Sequence, residues 1–254
     1  MIGTLCIALA SGVVIVGFPY DGETRMLAMR QRVHGVSCYI VSRSPWTQRG
    51  VRRVLPPVPS RIGRVPVVVV NVLQNHHTPK DPWGHEVAVR DALLQGLVGC
   101  NASDHDVFVV SDADEVLSTA SLSWLHAHVK PRTTYSCQLE WNLYSRCWGG
   151  RLLRRIPFAS TVAHARQLGP NAMRSSAHSM HMPQPCGYHC SWCFGHEAFR
   201  NKIRHIHEAD GTDYVTYGRQ QWSNQRIDNL RKHGLWLDGS KHGKWVCPTH
   251  REML

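Results

Sequence analysis

The chain has 254 residues, 43% of them hydrophobic, and a formal charge of +11 from 29 Lys and Arg against 18 Asp and Glu. That length builds one large domain or two small ones around a substantial core, and the composition is ordinary for a soluble globular protein. The nine cysteines are not spaced as a small disulfide scaffold. The basic excess points to anionic partners, with scattered surface arginines as the alternative. Its two arginine groups, over 43–64 and 146–155, lack the aromatic interleaving of an RNA-binding sheet. Nucleic acid is therefore not expected, and a phosphate-bearing ligand is favoured.

Residues 1–18 are apolar but broken by Gly3, Gly12 and Gly17, with no basic flank and too little length for a membrane span. Val13–Val16 reads as a buried first strand, a cropped signal anchor being the alternative. Glu23–Val33 has helical spacing of Met26, Leu27, Met29, Arg30 and Val33, and Ser37–Val41 reads as a second strand. Arg43–Arg64, with Pro45, Pro56, Pro57 and Pro59, reads as a loop. Val65–Val72 contains the pure run Val67–Val70, as expected for a strand covered on both faces. Trp83–Val98 reads as a helix with Val87, Leu94 and Val98 on one side and Arg90 four residues after Glu86, and Asp106–Val110 as a further strand. Thr133–Tyr144 is strand-like and 165–186 irregular; Glu197–His207 and Asn224–His233 are helical, with Gly234 as a stop. This alternation predicts an α/β fold with a mostly parallel sheet.

Two segments carry chemistry. The first is Asp112-Ala113-Asp114-Glu115, directly after a hydrophobic strand. Carboxylates at the C-terminal end of a central strand lie where open α/β sheets bind ligands, and two of them suit a hard divalent cation. Such a cation neutralises a diphosphate leaving group. The plainer alternative is that Asp112 or Asp114 caps a helix starting near Ser118. The second is Gly187-Tyr-His-Cys-Ser-Trp-Cys-Phe194. Its CxxC, Cys190 and Cys193, has no second CxxC to complete a zinc site, and His189 is too close to Cys190 for a closed ligand set. A small disulfide loop or buried thiols fit better. One glycosylation triplet occurs, Asn101-Ala102-Ser103.

Together these segments resemble glycosyltransferase family 17, the family of the bisecting N-acetylglucosamine transferase. The text Asp106-Val-Phe-Val-Val-Ser-Asp-Ala-Asp-Glu-Val-Leu117 is similar to the family's motif Asp-Val-Phe-Ile-Ile-x-Asp-Ala-Asp-Glu-Ile-Pro. Gly187 to Phe194 matches its Gly-Trp-His-Cys-Ser-Trp-Cys-Phe, with Tyr188 for Trp. Trp83, Glu86 and Arg90, then Lys202, Asp213-Tyr214 and the stretch 232–239 extend the likeness. It departs at Arg43, where the family carries an acid, at Ser111, and at Val116-Leu117 in place of Ile-Pro.

The resemblance implies a GT-A fold: one Rossmann-like domain over 1–254, with 1–130 as the nucleotide-sugar half and 131–254 as the acceptor and catalytic half. It implies UDP-GlcNAc as donor, Mn²⁺ or Mg²⁺, and a mannose of a glycan or glycoprotein acceptor, joined β1,4 with inversion. Asp112, Asp114 and His189 are the expected metal set. Asp112, Asp114, Lys202 and Arg174 are expected at the nucleotide diphosphate. An inverting displacement needs a general base; Asp213, Glu115 and Asp238 are the leading candidates, with Glu197 behind them. Trp192, Trp222 and Trp236 are available to stack on sugars, with core packing expected for at least two. The implied location is the Golgi lumen or secretory pathway, with membrane anchoring outside this chain or at its N-terminus. Two rivals stand beside this reading: a nucleotidyltransferase, and a degenerate, non-catalytic basic binding protein.

Overall fold

The computed structural model describes residues 13–245 apart from 21, 23, 48–49, 79–80, 82, 146, 154–156, 177–178, 184, 206–219 and 242–243. Continuous apolar runs along β1 (Val14–Pro19), β2 (Cys38–Arg43), β4 (Val65–Asn71) and β5 (Val107–Val110) build the parallel centre of the first sheet. The two-residue β3 (Arg61–Ile62) folds back on β4 through a turn at Gly63, whose φ is +62°. On the other side β10 (Phe158–Thr161) runs antiparallel to β5, followed by β7 (Tyr135–Ser136) and β11 (Met180–His181). The order is β11-β7-β10-β5-β1-β2-β4-β3.

Strand period sorts the core into two layers. Val14, Val16, Phe18, Tyr39, Val41, Val107 and Val109 face one side, under α1 (Thr24–Arg30) and α4 (Thr119–His128). Ile15, Ile40, Phe108 and Val110 face the other and meet Leu93, Leu97 and Val162. The valine run of β4 is only half-buried, because it lies one strand from the edge, so the expectation of full cover on both faces fails there. The expected helix Trp83–Val98 divides into α2 (Gly84–Asp91), a 3₁₀ turn at Ala92–Gln95 and α3 (Gly96–Gly99). At Gly96 an added Cβ would lie 2.3 Å from Ile40, so this segment rides directly on β2.

The stretch 165–186 is more regular than expected. Thr161 caps α5 (Val162–Leu168), Gly169 turns the chain at φ +84°, and Pro170 opens α6 (Pro170–Arg174). Proline at the first helical position and glycine just past a helix end are start and stop signals that the reading passed over.

A second sheet, β13-β9-β8-β12-β6, is built from β6 (Glu115–Leu117), β8 (Leu139–Leu143), β9 (Trp148–Leu153), β12 (Gly187–Ser191) and β13 (Lys244–Trp245). The predicted strand 133–144 is thus divided between sheets, with Cys137 and Gln138 at the crossing. The Cys137–Cys186 disulfide and a Cys186 N–H bond to the Gln138 carbonyl (3.2 Å) fix that crossing. Helices α7 (His196–His205) and α8 (Asn224–His233) cover the second sheet through Phe199, Ile203, Ile227 and Leu230 against Trp141 and Leu143. Ser223 caps α8, and Gly234, at φ +61°, stops it where the sequence predicted.

Candidate active site

The tetrad connects the two sheets. Strand β5 of the first sheet ends at Val110, and Glu115 already begins β6 of the second. Antiparallel pairing of β6 with β12 sets His189 opposite Glu115, Tyr188 opposite Val116 and Gly187 opposite Leu117. Gly187 has to be glycine: a Cβ there would lie 2.2 Å from the Val116 carbonyl oxygen. The Cys190 N–H donates to the Asp114 carbonyl at 2.9 Å, which closes the octet over the tetrad.

The alternating carboxylates face different partners. Asp112 accepts from Arg90 at 3.2 Å and from Arg174 at 2.9 Å. Arg174 also makes a two-pronged pair with Glu115, at 2.9 and 3.0 Å, and the Asp112 N–H donates to Glu115 at 2.8 Å. Arg90 in turn holds Glu86 at 2.5 Å and donates to Asn171 at 2.9 Å. Burial alone would raise the Asp112 carboxyl, but Arg174 and Arg90 outweigh it and hold the group below the usual range. The same carboxylates raise Arg174 against the lowering effect of its burial.

Asp114 turns the other way. Its Oδ2 lies 3.2 Å from Lys202 Nζ and 3.4 Å from His189 Nε2. Burial opposes its charge, yet Lys202 and His189 overcome that and keep it ionised far below the ordinary carboxylate range. His189 is raised by Asp114 against its own burial. Ser191 Oγ lies 3.2 Å from His189 Nε2 and accepts from Trp141 Nε1 at 3.0 Å. The Lys202 ammonium rests 4.6 Å from the Phe194 ring centroid and 5.6 Å from that of Trp192.

Neither aspartate caps α4. Ser118 does so itself, accepting from the Ser121 N–H at 3.1 Å. The CxxC is a disulfide, Cys190–Cys193, next to Trp192 at φ +62°. Trp192 and Trp222 are buried core residues, while Trp236 is half-buried and packs on Trp141 and Trp192.

The structure therefore gathers Asp112, Asp114, Glu115, Arg174, His189 and Lys202 into one cluster. Glu115 is 1% exposed and fully engaged by Arg174, which makes it a strut of the loop. Asp238 sits on the exposed turn after α8, accepting from the Ser240 N–H and hydroxyl. Glu197 is exposed in the first turn of α7. Asp213 and Tyr214 lie outside the described residues. No group of three or more His, Cys, Asp and Glu side chains among the described residues forms a complete metal cage.

One residue of the site carries no functional motif. Arg30, at the end of α1, is wholly buried and donates from Nη2 to Ser111 Oγ (3.1 Å) and to the carbonyls of Asp112 (3.0 Å), Ala113 (3.4 Å) and Glu115 (2.8 Å). Its guanidinium lies 4.1 Å from the Phe18 ring centroid, and burial lowers its pKa. It moulds the tetrad backbone from below. Its spacing with Met26, Leu27, Met29 and Val33 is the one local sign of its burial, and nothing in the sequence names its partners.

Residues 65–231, well over half of the chain, match the sequence model of glycosyltransferase family 17. The chain belongs to this family. It is a glycosyltransferase, an enzyme acting between a nucleotide-sugar donor and an acceptor. Its mixed α/β architecture is the one the family resemblance implied. No curated protein matches the sequence at the required significance. Similar solved structures include 4-diphosphocytidyl-2C-methyl-D-erythritol synthase, 11% identical, with a TM-score of 0.39 over 82% of this chain and 98% of that one. Another is the apo-form glycosyltransferase GlyE of Streptococcus pneumoniae TIGR4, 7% identical, with a TM-score of 0.33 over 88% and 64% respectively. Both likenesses are too distant to bear on the site.

Proposed function

We propose that this glycosyltransferase moves N-acetylglucosamine from UDP-GlcNAc to a mannose of an N-glycan in a β1,4 linkage, with Mn²⁺ or Mg²⁺ bound. The observation that carries the reading is the ionised Asp114 carboxylate beside His189 and Lys202, at the C-terminal edge of the central parallel strand. The donor set fits a divalent cation: a hard carboxylate oxygen and an imidazole nitrogen lie 3.4 Å apart, near the ~3 Å between adjacent ligands of an octahedral ion with ~2.1 Å bonds. Asp114 and His189 would hold the ion, and the donor diphosphate and water would complete its shell. Bound there, it supplies charge neutralisation for the departing diphosphate.

The chain's own groups do the rest. Lys202, on the same carboxylate oxygen and 29% exposed, places a second positive charge within reach of diphosphate oxygens. Asp112, braced by two arginines and 34% exposed, keeps an accepting edge for ribose or diphosphate hydroxyls. Trp236 offers a ring face for the acceptor sugar. Inversion needs one base on the acceptor hydroxyl, and Asp238 and Asp213 are the carboxylates proposed for it. Arg43, at the end of β2, is held by Asn71 at 2.8 Å and by the Pro56 carbonyl. It fastens the proline-rich loop beside the nucleotide edge.

Calorimetric titration of the chain with UDP and Mn²⁺, followed by a screen of sugar nucleotides for transfer, tests the reading. Metal-dependent UDP binding and preference for UDP-GlcNAc are expected. Asp114→Ala should abolish metal-dependent binding with the circular dichroism spectrum unchanged; retained binding removes Asp114 from the site. Binding of a nucleoside triphosphate with release of diphosphate would favour a nucleotidyltransferase instead.

A further inference from the structure

The sequence contains a single Asn-x-Ser/Thr triplet, Asn101-Ala102-Ser103. The structure places it in a tight turn between α3 and β5. The Asn101 N–H donates to the Val98 carbonyl at 3.0 Å, Ala102 to Leu97 at 3.0 Å, and the Ser103 N–H to Asp106 Oδ2 at 2.7 Å. Asn101 takes a left-handed backbone, φ +53°, and both Asn101 and Ser103 are exposed. Asn101 is therefore exposed on a turn whose backbone groups are bonded. Next to it Val98, expected on the side of Val87 and Leu94, is 82% exposed, because the helix is interrupted by the 3₁₀ turn at Ala92–Gln95.

Two further observations bear on what this turn meets. Cys100, immediately before Asn101, is bonded to Cys38, and the Cys137–Cys186 and Cys190–Cys193 pairs are also closed. Disulfides form and persist chiefly in oxidising compartments. The turn also leads into the N-terminal end of β5, whereas the tetrad leaves its C-terminal end. A strand of four residues separates the two edges by about 13 Å. A bulky substituent on the turn leaves the nucleotide edge open.

We propose that Asn101 is itself N-glycosylated. In the step, Asn101 Nδ2 forms a bond to the anomeric carbon of an oligosaccharide carried on a lipid diphosphate. The bond from that carbon to the diphosphate oxygen breaks, the lipid diphosphate leaves with its electron pair, and the proton lost by the amide nitrogen is taken up by solvent. The glycan then stands over Val98 and adds solubilising bulk at an edge remote from the tetrad.

The test is the full chain secreted from eukaryotic cells, with peptide mass spectrometry under non-reducing and reducing conditions. The expected result is an oligosaccharide on residue 101, with conversion of Asn101 to aspartate on enzymatic deglycosylation. Ser103→Ala, which leaves the left-handed Asn101 backbone in place, should remove the glycan and leave metal-dependent UDP binding unchanged. Ser103→Thr should keep it. An unmodified Asn101 in the secreted, disulfide-bonded protein overturns the proposal, as does a glycan that survives Ser103→Ala. The readout is mass at one residue, so it fails or succeeds independently of the donor reading.

Discussion

Asp112 and Asp114 are two positions apart and serve different neighbours. Asp112 is neutralised by the arginines of α2 and α6, and Asp114 by the lysine of α7 and by His189. The two carboxylates are thus held by separate sets of basic groups. Arg30 completes the arrangement with one guanidinium nitrogen shared among four acceptors. Arg30→Met preserves much of the volume but leaves those buried acceptors short of a donor. Each such loss costs about 1–3 kcal/mol, so the urea midpoint should fall by that free energy divided by the m-value. Beyond stability, UDP affinity should fall at least tenfold in calorimetry, while Arg30→Lys should recover part of it. Unchanged affinity in folded Arg30→Met would show that the loop holds its shape alone. The aspartates were legible because a strand followed by Asp-x-Asp carries its own geometry. Arg30 was not, because its partners are backbone carbonyls more than eighty residues away.

At the scale of elements, the pairing of β6 with β12 decides where His189 stands. Only three residue pairs make that contact, and Gly187 permits it. Gly187→Ala would force a methyl group against the Val116 carbonyl, and a loss of several kcal/mol is expected, at the severe end of single substitutions. Thermal melting beside a neutral control such as Glu197→Gln, on the exposed face of α7, checks this; equal melting temperatures would contradict it. The parallel strands were readable from their valine runs, because burial imprints apolarity on every residue. The short β6 carries no such imprint, and its text reads as acidic motif and helix cap. The split of 133–144 between sheets was equally hidden, since a strand that changes sheets keeps its β-type composition throughout.

On the whole-molecule scale the two sheets are fastened by the tetrad and by Cys137–Cys186, which closes a loop with a sequence separation of 49. Loop-closure entropy gives such a bond about 4 kcal/mol in the chain-entropy model. The double variant Cys137→Ser, Cys186→Ser should lower the urea midpoint by a corresponding amount, and reduced wild type should move in the same direction. A midpoint that does not move would show that the sheets dock without the bond. Among the described residues no helix is long and apolar enough to cross a membrane. Chain order and sheets interleave: β7, β10 and β11, after residue 130, complete the first sheet, and β6, before it, opens the second. That interleaving makes the length of the link between sheets as meaningful as its letters. Strand side chains alternate faces with every residue, so deleting Ala113 would shift β6 by one step against β12 and turn Glu115 away from His189. The proline-rich stretch before β3 has no comparable register to lose. Insertions and deletions should therefore accumulate there over evolutionary time and be purged between Ser111 and Leu117.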